Sequence, residues 1–364
     1  MRILNVIWST ETPYTSIHKV HSRIAGVLGD RVSVENWALQ GEGSNTEINV
    51  SRAWCFPKWC LKPRGYGKSG LLWVRYKLFH ALKNKAVTHV LLDGLGTARV
   101  FLPILEKDPA LKAVVVFHGL QRTKAGDHAL FSRYSRRLEL VAVSKDLAEE
   151  LSSSLGVSVK TIVTAYDPND FRSNLLPAKA AKNALGFFEC HRPILGCVGR
   201  LVESKGCMTL LESAVELKKR NKSFVLCFVG EGELDSVLRE KIKINNLQTH
   251  VILLGHVENM VQLYKAFDLV LIPSIKEGLG LVLQEAVLSE VPVVVSDIVV
   301  FREQLADVGP YVQVGNTSMW ADTIESIMSS DLGEISRDQR SVLNVDAAWS
   351  DFTRGWKEVF NGSN

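Results

Sequence analysis

Leu269-Val270-Leu271-Ile272-Pro273-Ser274-Ile275-Lys276-Glu277-Gly278-Leu279-Gly280-Leu281-Val282-Leu283-Gln284-Glu285-Ala286 holds a strand, a turn and the start of a helix in one short run. Residues 269–273 are apolar without interruption and stop at a proline, the pattern of a parallel strand buried on both faces. Gly278 and Gly280 then flank Leu279 where a helical pattern over 279–289 begins. Backbone N–H groups at such a junction have no helical partner, and glycine offers no Cβ to keep an anion away from them. Glu277, ahead of the helix, can reach past a bound phosphate towards hydroxyls. Glu285, read as two turns in and about 12 Å further along, can meet the other end of a nucleotide. A carboxylate accepts from two neighbouring hydroxyls at once, as a sugar or ribose presents them.

Outward from this run, strand-like and helix-like segments alternate almost throughout, which predicts an α/β fold with parallel sheets. Strands are expected at 3–8, 90–93, 114–118 and 140–144, then at 194–198, 224–230, 251–255, 269–273 and 291–296. Helical patterns lie between them, among others at 17–28, 71–83, 145–155, 207–220, 234–245 and 260–267. Tyr166-Asp167-Pro168-Asn169-Asp170 is rich in turn formers, and a polar, alanine-rich stretch follows it to about Gly186. The strand count restarts beyond. We therefore expect two Rossmann-like domains, 1–172 and 187–345, joined by a linker at 173–186. A chain of 364 residues suits two such domains, with the crevice facing both as the default ligand site. The segment 346–364 is a helical pattern with aromatics on one face, expected to dock.

Further loops carry chemistry. Gly199-Arg200-Leu201-Val202-Glu203-Ser204-Lys205-Gly206 follows a strand and leads into a helix, so Arg200 and Lys205 can neutralise a diphosphate, including its charge as a leaving group. Gly230-Glu231-Gly232 is a strand-ending turn able to line the base or phosphate side of a pocket. No Asp-x-Asp pair occurs, and no His/Asp/Glu cluster has metal-ligand spacing, so no metal or cofactor is expected. A dehydrogenase would need Gly-x-Gly-x-x-Gly after the first strand, where Ser9-Thr10-Glu11-Thr12 stands.

Taken together, Gly199-Arg200 with Lys205-Gly206, Val229-Gly230-Glu231-Gly232, Gly255-His256-Val257, Glu277-Gly278-Leu279-Gly280 with Glu285, and Pro292-Val293-Val294-Val295-Ser296 resemble the retaining glycosyltransferases of family 4. The resemblance implies a GT-B fold, with two Rossmann-like domains facing across a cleft, an N-terminal acceptor domain and a C-terminal nucleotide-sugar domain. It implies that Arg200 and Lys205 hold the diphosphate, Glu277 contacts the donor sugar and Glu285 the ribose. Gly199, Gly230, His256, Val257, Gly278, Leu279 and Gly280 would line the donor. Val116-Phe117-His118-Gly119 is similar to the family's strand-ending His-Gly, whose histidine faces the donor sugar. The terminal helix would cross back onto the first domain. Two places depart from the pattern. Thr15-Ser16 stand near where a Gly-Gly pair is usual, so their hydroxyls take the place of close backbone approach to phosphate. Ala165-Tyr166-Asp167 stands where Asn-Gly-Val-Asp is usual. The expected activity is retaining, metal-independent sugar transfer, in lipopolysaccharide or another surface polysaccharide. A GT-B sugar-nucleotide epimerase and a non-catalytic GT-B partner subunit are the alternatives.

Charge divides the chain. Residues 1–172 hold 24 Lys and Arg against 15 Asp and Glu, and residues 173–364 hold 19 against 24, so the first half suits an anionic partner. From Lys58 to Lys85 there are eight basic residues, Lys58, Lys62, Arg64 and Lys68 among them, and no acid. Trp59, Tyr66, Trp73, Tyr76 and Phe79 interleave. This composition suits an anionic membrane, a phosphorylated glycan or a lipid-linked acceptor; equally it suits an ordinary helix with solvated cations and core aromatics. Arg122 and Lys124 add a second basic cluster after His118. No nucleic-acid motif accompanies them. Six cysteines without metal or disulfide spacing, and no apolar run of membrane-spanning length, predict a cytoplasmic protein, peripheral at most on the inner face of the membrane.

Overall fold

A computed structural model of the chain describes residues 1–10, 15–29, 31–42, 48–62, 68–83, 85–119 and 121–361. The apolar runs become strands of two parallel sheets, the mixed α/β class expected. The first holds β1 (Arg2–Ser9), β2 (Ser33–Gln40), β3 (Arg52–Ala53), β4 (His89–Asp93), β5 (Lys112–Phe117), β6 (Leu138–Ala142) and β7 (Lys160–Thr161), in the order β3-β2-β1-β4-β5-β6-β7. The second holds β8 (Ile194–Val198), β9 (Val225–Val229), β10 (Val251–Gly255), β11 (Leu269–Ile272), β12 (Val293–Ser296) and β13 (Tyr311–Val312), in the order β10-β9-β8-β11-β12-β13. Residues Val225, Cys227 and Val229 enter one apolar cluster while Leu226 and Phe228 enter another. A strand covered by helices on both faces needs this run of apolar residues without alternation. Burying each such side chain contributes about 1.5–3 kcal/mol.

Strand order reverses beside β1 in the first sheet and beside β8 in the second. At such a switch point the two connections leave in opposite directions, and a crevice opens at the carboxyl ends of the strands. The β1/β4 and β8/β11 ends are therefore the places to look for chemistry.

The chain divides into two compact units, Met1–Thr164 with Ser350–Asn364, and Ala165–Trp349. The expected linker at 173–186 is corrected by this division. Its residues belong to the second unit, where Pro168–Ser173 and Ala178–Ala184 are helices and Ala181 is fully buried. Alanine there reflects the best intrinsic helix former in a helix that packs closely, rather than low complexity. The final helix, Val345–Asn361, changes unit after its first turn. Phe352, Trp356 and Phe360, four residues apart on one face, are all buried, and Phe360 packs edge-on to His89 at 5.5 Å between ring centroids. The segment 260–267 is a 3-10 turn, Met260–Ala266, rather than an α-helix.

Candidate active site

In the second unit, the β8 and β11 ends bring the two strongest motifs together. The loop after β8 carries Arg200 and Lys205, and the loop after β11 carries Ser274 and Glu277. A pocket lined by Gly199, Arg200, Lys205, Ser274, Glu277 and Val282 lies against both. The Lys205 ammonium is ion-paired with Glu277 Oε1, which also accepts from Ser274 Oγ at 2.8 Å. Arg200 is exposed and pairs with no carboxylate among the described residues. One cation is thus held by an acid and one is uncommitted, where an anionic ligand would need both.

The helix behind this pocket is Leu281–Leu288, with Gly280 at its N-cap and no side chain capping it. Gly280 sits at φ +81°, and a Cβ on it would stand 2.5 Å from the Phe301 ring, so the chain can make this turn only with glycine. Gln304 fixes the loop from below, its Nε2 donating to the Leu279 carbonyl at 2.5 Å. Leu279 is buried and Gly278 half-buried. Gly230 serves backbone packing: a Cβ there would meet the Gly199 carbonyl oxygen at 2.0 Å. His256 is exposed just past β10, and Val257 packs against the core.

Glu285 stands differently from the expectation. The helix starts at Leu281, so Glu285 lies one turn in rather than two. It is 7% exposed. Tyr166 OH donates to its Oε1, and Tyr264 OH donates to its Oε2 at 2.7 Å. Burial, then the Glu285 charge beside it, pushes the Tyr264 hydroxyl well above its ordinary value. A carboxylate has about four acceptor positions, so half remain for a ligand. Tyr166 was legible only as a departure from the usual motif, and Tyr264 gave no signal.

In the first unit, the β1/β4 switch point gathers side chains far apart in sequence. The helix Thr15–Val27 carries His18 and His21; β4 ends on Asp93, and His118 follows β5. His18 Nε2 lies 2.9 Å from the Ser9 carbonyl oxygen. His21 Nε2 lies 3.0 Å from His118 Nε2, and His21 Nδ1 lies 2.6 Å from Asn5 Oδ1. Burial, then the His18 charge, hold His118 down at about 3. Burial and the two neighbouring histidines likewise hold His21 well below its ordinary value. Both rings are neutral at physiological pH. Burial raises Asp93 to about 6, opposed by the Trp8 N–H that it accepts. His21, Asp93 and His118 offer one ligand atom each within 4.8 Å of one another. No sequence spacing betrayed this group, because helix, β4 and β5 each supply one member; a hydrogen bond already joins its two ring nitrogens.

Among the other expected residues, Ser16 is exposed in the first turn of its helix. Residues 11–14 and Arg64 lie outside the described residues, and so do the side chains of Thr15 and Lys68. Lys58 and Lys62 are exposed. Trp59, Trp73 and Tyr76, for which core was one of the two readings, are 62%, 48% and 60% exposed, and Leu72 beside them is 64% exposed. Two basic residues of this stretch are structural: Arg75 donates to the carbonyls of Arg99 and Val100, and Lys85 pairs with Glu35 at 2.7 Å. Arg122 and Lys124 have exposed side chains on a loop shaped by the Arg99–Asp127 ion pair at 2.6 Å. No helix among the described residues is long and apolar enough to cross a membrane.

Comparison with known proteins places this geometry. Residues 186–341 match the family model of glycosyl transferases group 1. The chain is 34% identical over 169 residues to the putative glycosyltransferase EpsF of Bacillus subtilis, covering 46% of this chain and 44% of that protein. It is 30% identical over 128 residues to the lipopolysaccharide core biosynthesis mannosyltransferase LpsB of Rhizobium meliloti, covering 34% of this chain and 36% of that protein. These matches span less than half the length of either relative. The crystal structure of Anabaena HepE in complex with UDP and glucose is similar at a TM-score of 0.74, with 16% identity, over 99% of this chain and 98% of that one. Residues 186–341 therefore resemble the group 1 glycosyl transferases, and the fold is of the GT-B type.

Proposed function

We propose that the protein transfers a sugar from a nucleoside diphosphate sugar to a glycan or lipid-linked acceptor, with retention at the anomeric carbon and without a divalent ion. The observation that carries the reading is the β8/β11 pocket, where Arg200, the Lys205–Glu277 pair and an uncapped helix start converge. Two cations and free N–H groups are what a diphosphate requires, both bound and as a leaving group. Glu277 beside them suits a sugar's hydroxyls, and its charge stabilises the positive character that develops at the reacting carbon. Glu285 suits the ribose through its remaining acceptor positions. The HepE complex with UDP and glucose and the similarity to LpsB support a nucleotide-sugar donor and a surface-glycan acceptor. The first unit would serve the acceptor and, through Lys58, Lys62, Trp59 and Trp73, touch an anionic membrane peripherally on its cytoplasmic side.

Donor turnover by the full chain, with a panel of nucleotide sugars and a lipid and glycan extract, tests this. Transfer should persist in excess chelator. Arg200→Ala and Lys205→Ala should each weaken nucleoside diphosphate and donor by about 1.5–3 kcal/mol, as for a lost charged hydrogen bond, and lower kcat. Turnover without acceptor to an epimeric nucleotide sugar would replace the reading with an epimerase. No binding of any nucleotide sugar would leave a non-catalytic subunit.

A further inference from the structure

A line of side chains in the first unit runs from a main-chain carbonyl near its surface to His118. Asn36, on β2, donates from Nδ2 to the Asn49 carbonyl oxygen at 3.0 Å. A carbonyl only accepts, so this contact orients the Asn36 amide and turns its Oδ1 the other way. That oxygen accepts from Nδ2 of Asn5 at 2.9 Å, across the register pair Asn5–Asn36 of β1 and β2. Asn5 is now oriented in turn, and its Oδ1 faces His21 Nδ1 at 2.6 Å. An amide oxygen cannot donate, so the proton of the neutral His21 ring sits on Nδ1 and its Nε2 carries a lone pair. His118 Nε2, 3.0 Å away, must then be the donor. One neutral imidazole has one ring proton, so the lone pair of His118 is left on Nδ1. Asn5 and His21 are 1% exposed, whereas His118 is half-buried: it is the end that a ligand can reach.

We propose that Asn36, Asn5 and His21 are positioning residues that fix the open ring nitrogen of His118 as a hydrogen-bond acceptor, for a ligand that donates a hydroxyl. The tautomer does not rest on the glycosyl transfer proposed above. A hydroxyl donates to the Nδ1 lone pair. A carboxylate offers only lone pairs of its own, and a ring that resists protonation cannot turn to meet it. A site built to accept from a hydroxyl rejects the analogue without a donor because a buried polar group is left unpaired.

Nitrogen-resolved NMR of the histidine rings in the unliganded full chain tests the relay directly. The expected result is a proton on Nδ1 of His21 and on Nε2 of His118, unchanged between pH 5 and 8. Asn36→Asp still accepts from Asn5 and should keep both tautomers. Asn5→Leu removes the acceptor, so both rings should lose the single-tautomer signature. Asn36→Leu, at a half-exposed position, carries the same test if Asn5→Leu fails to fold. A wild-type His118 protonated on Nδ1, or tautomers indifferent to Asn5→Leu, overturns the relay. Expected tautomers in a protein that turns over no nucleotide sugar overturn the glycosyl transfer, while the relay stands.

Discussion

Glu277 and Glu285 lie eight residues apart, and burial separates their roles. Glu277 is half-buried at a pocket rim, tied to one lysine and one serine. Glu285 is buried and satisfies two tyrosines. Glu285→Gln should therefore lower the melting temperature of the second unit, since a buried donor left with a poorer acceptor costs about 1–3 kcal/mol. Glu277→Gln should leave that temperature nearly unchanged and cut turnover instead. Calorimetry and initial rates on both variants check this; a stable Glu285→Gln protein would mean that the tyrosines pair elsewhere. Asp93 gives a pH-dependent case. Its folded value, about 6, lies above the unfolded one, so its contribution is whole at acid pH and is lost as pH rises through 6. Asp93→Asn keeps an acceptor for the Trp8 N–H without the charge. Relative to wild type it should be neutral near pH 4 and more stable at pH 8, by up to about 3 kcal/mol. Denaturant melts at the two pH values measure the difference.

Single residues also show where sequence reading stops. Arg200, Lys205 and Glu277 were legible because each follows an apolar strand at a short, fixed offset. His21, Asp93 and Asn5 were not, since their meeting depends on β1 lying beside β4, which no local pattern encodes. At the scale of elements, β1, β4, β5, β6 and β8 to β12 declared themselves as apolar runs, β6 starting two residues earlier than expected. β2 did not: Glu35 and Asn36 interrupt its first half, where burial is partial. β3, β7 and β13 have two residues each, too few for any period. The helix Leu281–Leu288 owes its start to Gly280, and this can be tested. Gly280→Ala forces a left-handed residue with a side chain, at about 1–2 kcal/mol, against the Phe301 ring. The loop should shift, so nucleoside diphosphate affinity should fall further than the melting temperature alone implies; unchanged titration calorimetry would detach this turn from the pocket. The helix Lys68–Leu82 buries Val74, Leu78 and Leu82 while exposing Leu72, Trp73 and Tyr76. Its sequence is apolar on both faces, so periodicity could not say which face was core.

For the whole molecule, the first half is basic and the second half acidic, which suits different partners for the two units. Exposed tryptophans beside lysines bind at an interface where rings enter the headgroups and cations meet anionic lipid. Trp59→Ala with Trp73→Ala should abolish binding to anionic vesicles, and neutralising Lys58 and Lys62 should weaken it with a smaller dependence on salt. Nucleotide affinity, which the proposed donor pocket assigns to the second unit, should not change. Vesicle sedimentation across a salt series reads this, and equal binding by wild type and double variant returns the surface to solvent.

The division of the final helix has a consequence for synthesis. β1 to β7 have all been synthesised once residue 161 is made, yet the segment from Ser350 that covers Ile162 and His89 follows only after Ala165–Trp349. At about 5–20 residues per second, the nascent first unit waits roughly 10–40 s with that seat uncovered while the second unit is translated and can close on its own. Premature termination inside the last helix would thus release a chain with an intact second unit and an unfinished first one, a species for chaperones and proteases to find.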